Sequence, residues 1–193
     1  MADHARQHLR GRPRQGDPRQ VHPRRRARGD EVVSASAGAA CPFCSGAGVP
    51  LLESPRWLLL RHADPAPIAG WMMLVARAHR EGPHALERDE QAELGGLVAA
   101  IAAAVRAATG CERTYLLSFN ESVQHMHLHV VPRHASDATT TSWALADRYR
   151  ETAAGRSAAI APLVADEAAR AVARHAERAL APFGFAPPAH DVR

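Results

Sequence analysis

Apolar and polar positions along this chain predict two strands followed by a long helix. Apolar runs of strand length occupy residues 57–62 and 71–77, and a loop with Pro and Gly separates them. Five apolar residues then recur at three- and four-residue intervals: Leu94, Leu97, Val98, Ile101 and Val105. This spacing predicts an amphipathic helix over residues 87–108, which Gly110 ends.

The second half of the pattern predicts two more strands and a last helix. Residues 113–119 and 124–131 have the composition of strands, with a tight connection at 120–123. Pro132 is expected to stop the second strand, because proline cannot donate a hydrogen bond to a neighbouring strand. After a polar stretch, a helix is predicted over residues 162–180. Strands joined largely by short connections, with one crossing helix, predict an α+β domain around an antiparallel sheet.

The predicted strand at 124–131 carries histidine at three alternate positions, His125, His127 and His129. Alternate side chains of a strand lie on one face, so the three imidazoles form a row while the apolar residues between them face a core. An ordinary half-buried strand would carry Thr, Ser, Lys or Glu there. The row suggests a metal site, a nucleophile with its helpers, or both.

The positive charge of the chain is concentrated at its N-terminus. The 193 residues have a net charge of +4, but residues 1–31 alone carry nine Arg against four acidic residues, a net of +5. Residues 1–40 also have almost no large apolar side chains, so we expect them to be disordered. The alternative is a phosphate-binding arm that uses Arg24, Arg25, Arg26 and Arg28. Since the remaining chain is near neutral, a nucleic-acid partner is not expected.

Composition also indicates where the protein is located in the cell and what its cysteines do. No apolar run approaches the roughly 20 residues that span a bilayer, and the N-terminus lacks the apolar region of a secretory signal. Three cysteines do not make a disulfide framework, so we expect a soluble, cytoplasmic protein without a membrane partner. Cys41 and Cys44 have a spacing typical of metal or redox sites, whereas Cys111 is expected to be a buried apolar residue.

The run at residues 125–131 has the pattern His-φ-His-φ-His-φ-φ, where φ is apolar, and Pro132-Arg133 follows it. This run resembles the signature of the histidine-triad (HIT) superfamily of nucleotide hydrolases and transferases, and the resemblance covers about residues 41–135. It implies a HIT-like fold, with an antiparallel sheet of about five strands and one main crossing helix, and a homodimer. Here a C-terminal helix would be added. The expected segments are a tail at 1–40, a HIT-like domain at 41–150 and a helical extension at 151–193.

The resemblance also implies the chemistry. His127 would be the nucleophile that attacks the α-phosphorus of a nucleotide, a dinucleoside polyphosphate or an AMP-amide. His129 would hydrogen-bond a phosphate oxygen, and the hydroxyl of Ser122 would lie near the bridging or leaving oxygen. Asn120 and Val123 would complete the substrate-binding residues. An imidazole with an unperturbed pKa near 6.5 is largely neutral near pH 7, and it is a good leaving group once reprotonated.

A branch of the superfamily implies a structural zinc site as well. Its four ligands here would be Cys41, Cys44, His79 and His125, with His84 as the alternative to His79. Four protein ligands leave no coordination position for water, so such an ion stabilises the fold and does not act as a Lewis acid.

Several positions depart from the pattern of the superfamily. Glu121 stands where relatives commonly have Gln, and Trp71 follows Gly70 where they commonly have His. His62 has no partner pattern and is expected to be solvated. Two alternatives remain open: a nucleotidyl transferase or phosphorylase, and a zinc-stabilised module that binds nucleotides or nucleic acid without catalysis. The triad favours an enzyme, because a pure binder needs no nucleophile.

Overall fold

The computed structural model of the chain describes residues 41–189. The predicted tail at 1–40, including the arginines of its possible phosphate-binding arm, lies outside the described residues, as do residues 190–193. The five strands are β1 (Leu52–Glu53), β2 (Trp57–Arg61), β3 (Met72–Ala76), β4 (Arg113–Leu117) and β5 (His127–Arg133). The three α-helices are α1 (Arg88–Thr109), α2 (Ser142–Ala153) and α3 (Pro162–Leu180).

The strands form one antiparallel sheet in the order β1-β2-β3-β5-β4. This confirms the predicted α+β fold of five antiparallel strands with a main crossing helix, α1, and a C-terminal helix, α3. Helix α1 begins with a capping box between Glu87 and Glu90 and ends at Gly110, whose φ of 69° is left-handed. Glycine reaches this conformation without the steric penalty that a Cβ atom brings, as the sequence predicted for this helix end.

The main hydrophobic core lies between one face of the sheet and the helices α1 and α3. Trp57, Leu74 and Val130 of the strands are fully buried there against Ile101 of α1 and Val172 of α3. Apolar residues at these positions are what the periodicities of the strands and helices require, since each element buries one face.

The histidines lie on the opposite face of the sheet. In the pairing of β3 with β5, Met73 lies opposite His129 and Val75 lies opposite His127. Directly paired residues share a face, and Met73 and Val75 form a separate apolar cluster against Phe43, away from the main core. The row of imidazoles therefore faces the segment that carries Cys41 and Cys44.

Two features of the fold differ from the prediction. Strand β5 begins at His127 and runs through Pro132 to Arg133, so the predicted stop at Pro132 is wrong. Beyond Val130 the strand pairs only with β4, and a residue without an N–H is tolerated where one side of a strand has no neighbour. Helix α2 lies in the stretch that was predicted only as polar. It was not predicted because it has one buried apolar residue, Leu145, and therefore no apolar repeat.

Helix α1 is the one helix within residues 41–189 whose length and mean hydropathy would also suit a membrane span. In this fold its buried residues, including Leu97 and Ile101, pack in the core against the sheet. This packing accounts for its apolar composition, as it does for core helices in general.

Candidate active site and metal centre

His127 stands at the start of β5 with its ring half-buried. Its Nδ1 lies 2.7 Å from the backbone oxygen of His125. A carbonyl oxygen can only accept a hydrogen bond, so Nδ1 carries a proton, and in the singly protonated ring the lone pair is on Nε2. Within residues 41–189 this Nε2 has no hydrogen-bond partner. The backbone thus fixes the orientation of the ring and leaves Nε2 free.

The connection between β4 and β5 holds this strand start in place. The hydroxyl of Ser118 donates to the backbone oxygen of His127 over 2.8 Å, and the amide of Asn120 donates to the backbone oxygen of Glu81 over 3.3 Å. Asn120 has a φ of 54°, a left-handed conformation that asparagine adopts more readily than most residues. Ser118 was not among the predicted site residues, because its bond is to a backbone atom and leaves no sequence pattern.

His129 lies next to His127, with the two ring centroids 5.0 Å apart. Its Nδ1 accepts a hydrogen bond of 3.0 Å from the indole Nε1 of Trp71. Burial, followed by the neighbouring His127 and His62, lowers the pKa of His129 from the ordinary 6.5 to about 3. With a pKa this low, His129 is a neutral side chain near neutral pH.

An aromatic cluster surrounds the far side of His129. The centroids of His62 and Trp71 lie 4.7 Å apart, and Tyr149 of α2 lies 5.7 Å from each of them. His62 is half-buried in this cluster, so the prediction that it is solvated is wrong. Burial is also the main cause that lowers the pKa of His62. The sequence could not place Tyr149 here, since α2 itself was not predicted.

A cluster of two cysteines and two histidines lies beside His127. One ligand atom each from Cys41, Cys44, His79 and His125 lies within 4.8 Å of the others. The Nδ1 of His125 lies 3.3 Å from the sulfur of Cys41 and 3.6 Å from that of Cys44, and the Nδ1 of His79 lies 3.3 Å from the sulfur of Cys44. His84, the alternative ligand, is not in this cluster.

The donor set of this cluster fits a tetrahedral zinc site. The Nε2 of His125 lies 2.7 Å from the backbone oxygen of Ala76 and donates its proton there, so the lone pair of Nδ1 faces the two sulfurs. Zinc ligands with Zn–S near 2.3 Å and Zn–N near 2.05 Å place sulfur and nitrogen about 3.6 Å apart at tetrahedral angles. Burial keeps the pKa of His125 below its ordinary value, which favours the neutral ring that a metal ligand must be.

Phe43, between the two cysteines, joins the cysteine and histidine cluster to strand β5. Its ring centroid lies 5.3 Å from that of His125 and 5.3 Å from that of His127. Sequence reasoning used only the spacing of the cysteines and missed the residue between them. An apolar residue at this point of a short loop could have been recognised as an anchor.

The bend at residues 121–123 carries the other predicted site residues. Ser122 is exposed, and within the described part of the chain its side chain makes no hydrogen bond, so its catalytic role stays a prediction. Glu121 is also exposed, and no phosphate-binding role follows for it. Next to the bend lies an open cleft of ≈ 400 Å³, and its lining includes Asn120, Ser118 and Gln124. Val123 is half-buried, and it precedes Gln124 of the cleft lining in the sequence.

Part of the chain matches a known protein family. Residues 49–136 match the HIT domain family. A hypothetical histidine triad nucleotide-binding protein from Sulfolobus tokodaii strain 7 is similar in structure, with 16% identity, a TM-score of 0.55, and coverage of 72% of this chain and 94% of that one. A Zn-bound histidine triad family protein from Mycobacterium smegmatis has 17% identity, a TM-score of 0.53, and coverage of 74% and 94%.

A histidine triad protein from Sinorhizobium meliloti 1021 has 21% identity and a TM-score of 0.51, with 75% of this chain and 98% of that one covered. A search of curated proteins finds no significant match to this chain. At these identities the likeness to the solved structures establishes the fold. The chemistry has to be argued from the residues of the site.

Proposed function

We propose that this chain hydrolyses a nucleotide, a dinucleoside polyphosphate or an AMP-amide, and the match of residues 49–136 to the HIT domain family supports this proposal. The observation that carries this proposal is the bond from Nδ1 of His127 to the backbone oxygen of His125. It leaves Nε2 as the one ring atom of His127 that can attack phosphorus. A histidine whose role is structural would be expected to use both ring nitrogens in hydrogen bonds.

The proposed reaction has two displacements. The lone pair of Nε2 forms a bond to the α-phosphorus, and the bond from phosphorus to the leaving oxygen or nitrogen breaks. The leaving group departs with the bonding electrons and takes up a proton from solvent. Water then attacks the same phosphorus and gives up a proton to solvent, and the P–N bond breaks, which returns the neutral ring of His127 and releases the nucleotide. The Nδ1–H of His127 donates to the backbone oxygen of His125 throughout, so the ring keeps its orientation.

The neighbouring residues have supporting parts in the proposal. The Nε2–H of His129 would donate to a phosphate oxygen and stabilise negative charge there. The hydroxyl of Ser122 would lie near the leaving oxygen, with Asn120 and Val123 in contact with the substrate at the adjoining cleft. The exposure of Ser122 on the bend beside this cleft supports its access to a ligand.

The experiment that tests the proposal compares the wild type with His127→Asn on several nucleotide substrates. The wild type should turn over at least one of them, and rapid quenching should trap a nucleotidyl group on His127 as a phosphoramidate. His127→Asn should bind substrate and lose turnover by at least about a thousandfold, because an amide cannot form the intermediate. His175→Asn, on the exposed side of α3, is the matched control and should keep full activity.

The outcomes separate the alternatives. Turnover that needs a second acceptor instead of water would identify a nucleotidyl transferase or phosphorylase. Binding without turnover of any substrate by the wild type would contradict the enzyme proposal and favour the binding module. Turnover without a trapped label on His127 would contradict the covalent mechanism.

We also propose that the cysteine and histidine cluster holds a structural zinc ion. Its support is the fit of the sulfur–nitrogen distances and of the free Nδ1 of His125 to a tetrahedral site. The ion, when bound, would cross-link residues 41–44 to the end of β3 and the start of β5. His125 would then serve twice, with its ring as ligand and its backbone oxygen as the partner of His127.

Metal analysis tests the zinc proposal. The wild type should contain about one zinc ion per chain, and Cys41→Ser should lose most of it, since serine is a poor zinc ligand. Cys111→Ala is the control, because Cys111 is buried in the core away from the cluster and should leave the zinc content unchanged. Equal zinc in wild type and Cys41→Ser would refute the site. We further propose a cytoplasmic location and a homodimer. The mass of the protein in solution tests the homodimer.

A further inference from the structure

Trp71 is held rigidly at the entrance of β3. It follows Gly70, whose φ of 79° turns the chain into the strand, and it is only 4% exposed. Its ring packs in a small apolar cluster with Ile68, Val131 and Leu145. A side chain packed on several sides has little freedom to rotate, so the indole N–H points in a fixed direction.

That direction is towards His129. The indole Nε1 lies 3.0 Å from the Nδ1 of His129, and the two rings meet edge to face at 85°. Indole nitrogen is a donor only, so Nδ1 of His129 must be the acceptor and cannot carry a proton. The proton of the neutral ring is then on Nε2. A doubly protonated His129 would set one N–H against another, which the packing around Trp71 does not allow to relax.

We infer that Trp71 is a positioning residue that holds His129 as the neutral, Nε2-protonated tautomer beside the nucleophile His127. The inference rests on the proposed function, because it names the atom of His129 that would donate to the phosphate. It assigns a role to the residue that stands where relatives commonly have histidine. It also explains why a tryptophan, and not another large apolar residue, suits this position.

Two further observations support the inference. Within residues 41–189 the ring of His129 has no other hydrogen bond, so no other group in this part of the chain selects its tautomer. Its low pKa, caused first by burial, shows that the environment disfavours a second proton. A neutral His129 also suits the reaction, because His127 becomes cationic when its Nε2 binds phosphorus and a second cation 5.0 Å away would oppose that step.

The decisive experiment is nitrogen-15 NMR of the histidine rings near neutral pH, in the wild type and in Trp71→Phe. Phenylalanine keeps an aromatic ring in the cluster but removes the N–H. In the wild type, Nδ1 of His129 should be unprotonated and Nε2 protonated. In Trp71→Phe the ring should become a mixture of the two tautomers. A wild-type His129 that is protonated on Nδ1, or an unchanged tautomer in Trp71→Phe, would overturn the inference.

The other two tryptophans supply matched controls. Trp143→Phe changes a residue that is 85% exposed on α2. Trp57→Phe removes a buried indole that donates to Glu93 over 3.1 Å, so it loses the same kind of bond at a distant place. Both should keep the wild-type tautomer of His129. A tautomer change in Trp57→Phe would show a general effect of destabilisation and would overturn the specific role of Trp71.

Kinetics provide the second readout. Loss of the partner that orients a histidine costs about 10–100-fold in well-studied metal sites, and we expect a similar fall in kcat for Trp71→Phe, with KM little changed. An unchanged kcat would overturn the role in catalysis. Because the NMR measurement needs no turnover, a protein that hydrolyses nothing would refute the proposed function and still test the role of Trp71. If Trp71→Phe fails to fold, the wild-type spectrum alone decides the tautomer.

Discussion

The three histidines of the triad are chemically different although they are alternate residues of one segment. His125 donates from Nε2 to the backbone of Ala76, and His127 donates from Nδ1 to the backbone of His125. His129 accepts at Nδ1 from Trp71. The ring nitrogen left free is Nδ1 in His125, Nε2 in His127 and the protonated Nε2 in His129. These three atoms suit a metal ligand, a nucleophile and a hydrogen-bond donor, respectively. The hydrogen-bond partner of the other nitrogen thus makes one residue type suitable for three different functions.

The neutral state of His129 has a consequence for stability. Its pKa is about 3 in the folded chain and near 6.5 when unfolded, so between these values the unfolded chain binds a proton that the folded chain does not. Stability must then fall as pH falls below about 6.5. At about pH 5 the loss from this group amounts to roughly 2 kcal/mol.

Urea unfolding of wild type and His129→Asn at about pH 7 and pH 5 would measure this loss. The wild type should lose about 2 kcal/mol more than the variant over that interval, because asparagine does not titrate. The difference between the two proteins removes the effect of His62 and of the metal ligands, which both proteins share. Parallel losses in the two proteins would contradict the low pKa of His129.

Sequence reasoning reached the triad and the four cluster residues because each has a recognisable spacing. It could not reach the Trp71–His129 bond, which depends on which residues of β3 and β5 are paired and on the turn at Gly70. Pairing register is a property of the whole sheet and leaves no local pattern. The same applies to Ser118, whose partner is a backbone atom.

At the scale of elements, the sequence predicted those helices and strands whose packing against the core requires a regular repeat of apolar residues. Helix α3 runs over Pro162–Leu180 as expected, because small and apolar residues recur on its buried side. Helix α2 escaped prediction because it buries little and offers almost no apolar repeat. Strand β1 has only two residues, too few for a pattern. Elements that contribute least to the core were thus the ones that the sequence did not disclose.

Glu90 joins three elements near the cysteine and histidine cluster. Its carboxylate is 4% exposed, accepts from the backbone N–H of Glu87 at the start of α1, and pairs with Arg80 at 3.0 Å. The backbone oxygen of Arg80 in turn accepts from the N–H of Met126, just before β5. The pair therefore fixes the segment after β3, which carries His79, against both α1 and β5.

Glu90→Gln should lower the free energy of unfolding by about 1–3 kcal/mol, because the charge of the buried carboxylate is lost and its bond to Arg80 weakens. Urea unfolding measures this. The control is Glu167→Gln on the exposed side of α3, with an expected change of about 0.5 kcal/mol or less. An equal, small effect in both variants would show that Glu90 does not hold the junction.

At the scale of the molecule, the two faces of the sheet have separate tasks. One face carries the core with α1 and α3, and Arg61 at the end of β2 pairs with Asp166 to hold α3. The other face carries the triad, the cysteine and histidine cluster and the aromatic cluster that α2 completes. The site is thus built on strands whose opposite sides are already fixed by the core, which gives catalytic groups the rigidity they need.

The β4 edge of the sheet is relevant to the assembly of two copies of the chain. Strand β4 is an edge strand of five residues, and apolar side chains lie exposed along and beside it: Leu116 is 48% exposed and Phe119 is 73% exposed. An edge strand with such side chains is a ready surface for pairing with another chain, and natural proteins usually cover or charge it. The proposed homodimer would cover this edge with a second copy.

Light scattering after size-exclusion chromatography would test this assembly. The wild type should have the mass of a dimer, and a double variant with Leu116→Glu and Phe119→Glu should have the mass of a monomer, because like charges at a shared edge repel and apolar contact is lost. Trp143→Glu is the control, since Trp143 is more exposed than either residue and lies on α2, away from the edge. This variant should remain a dimer. A monomeric wild type would contradict the homodimer. If the double variant remains a dimer, the interface does not use the β4 edge and must lie on another surface.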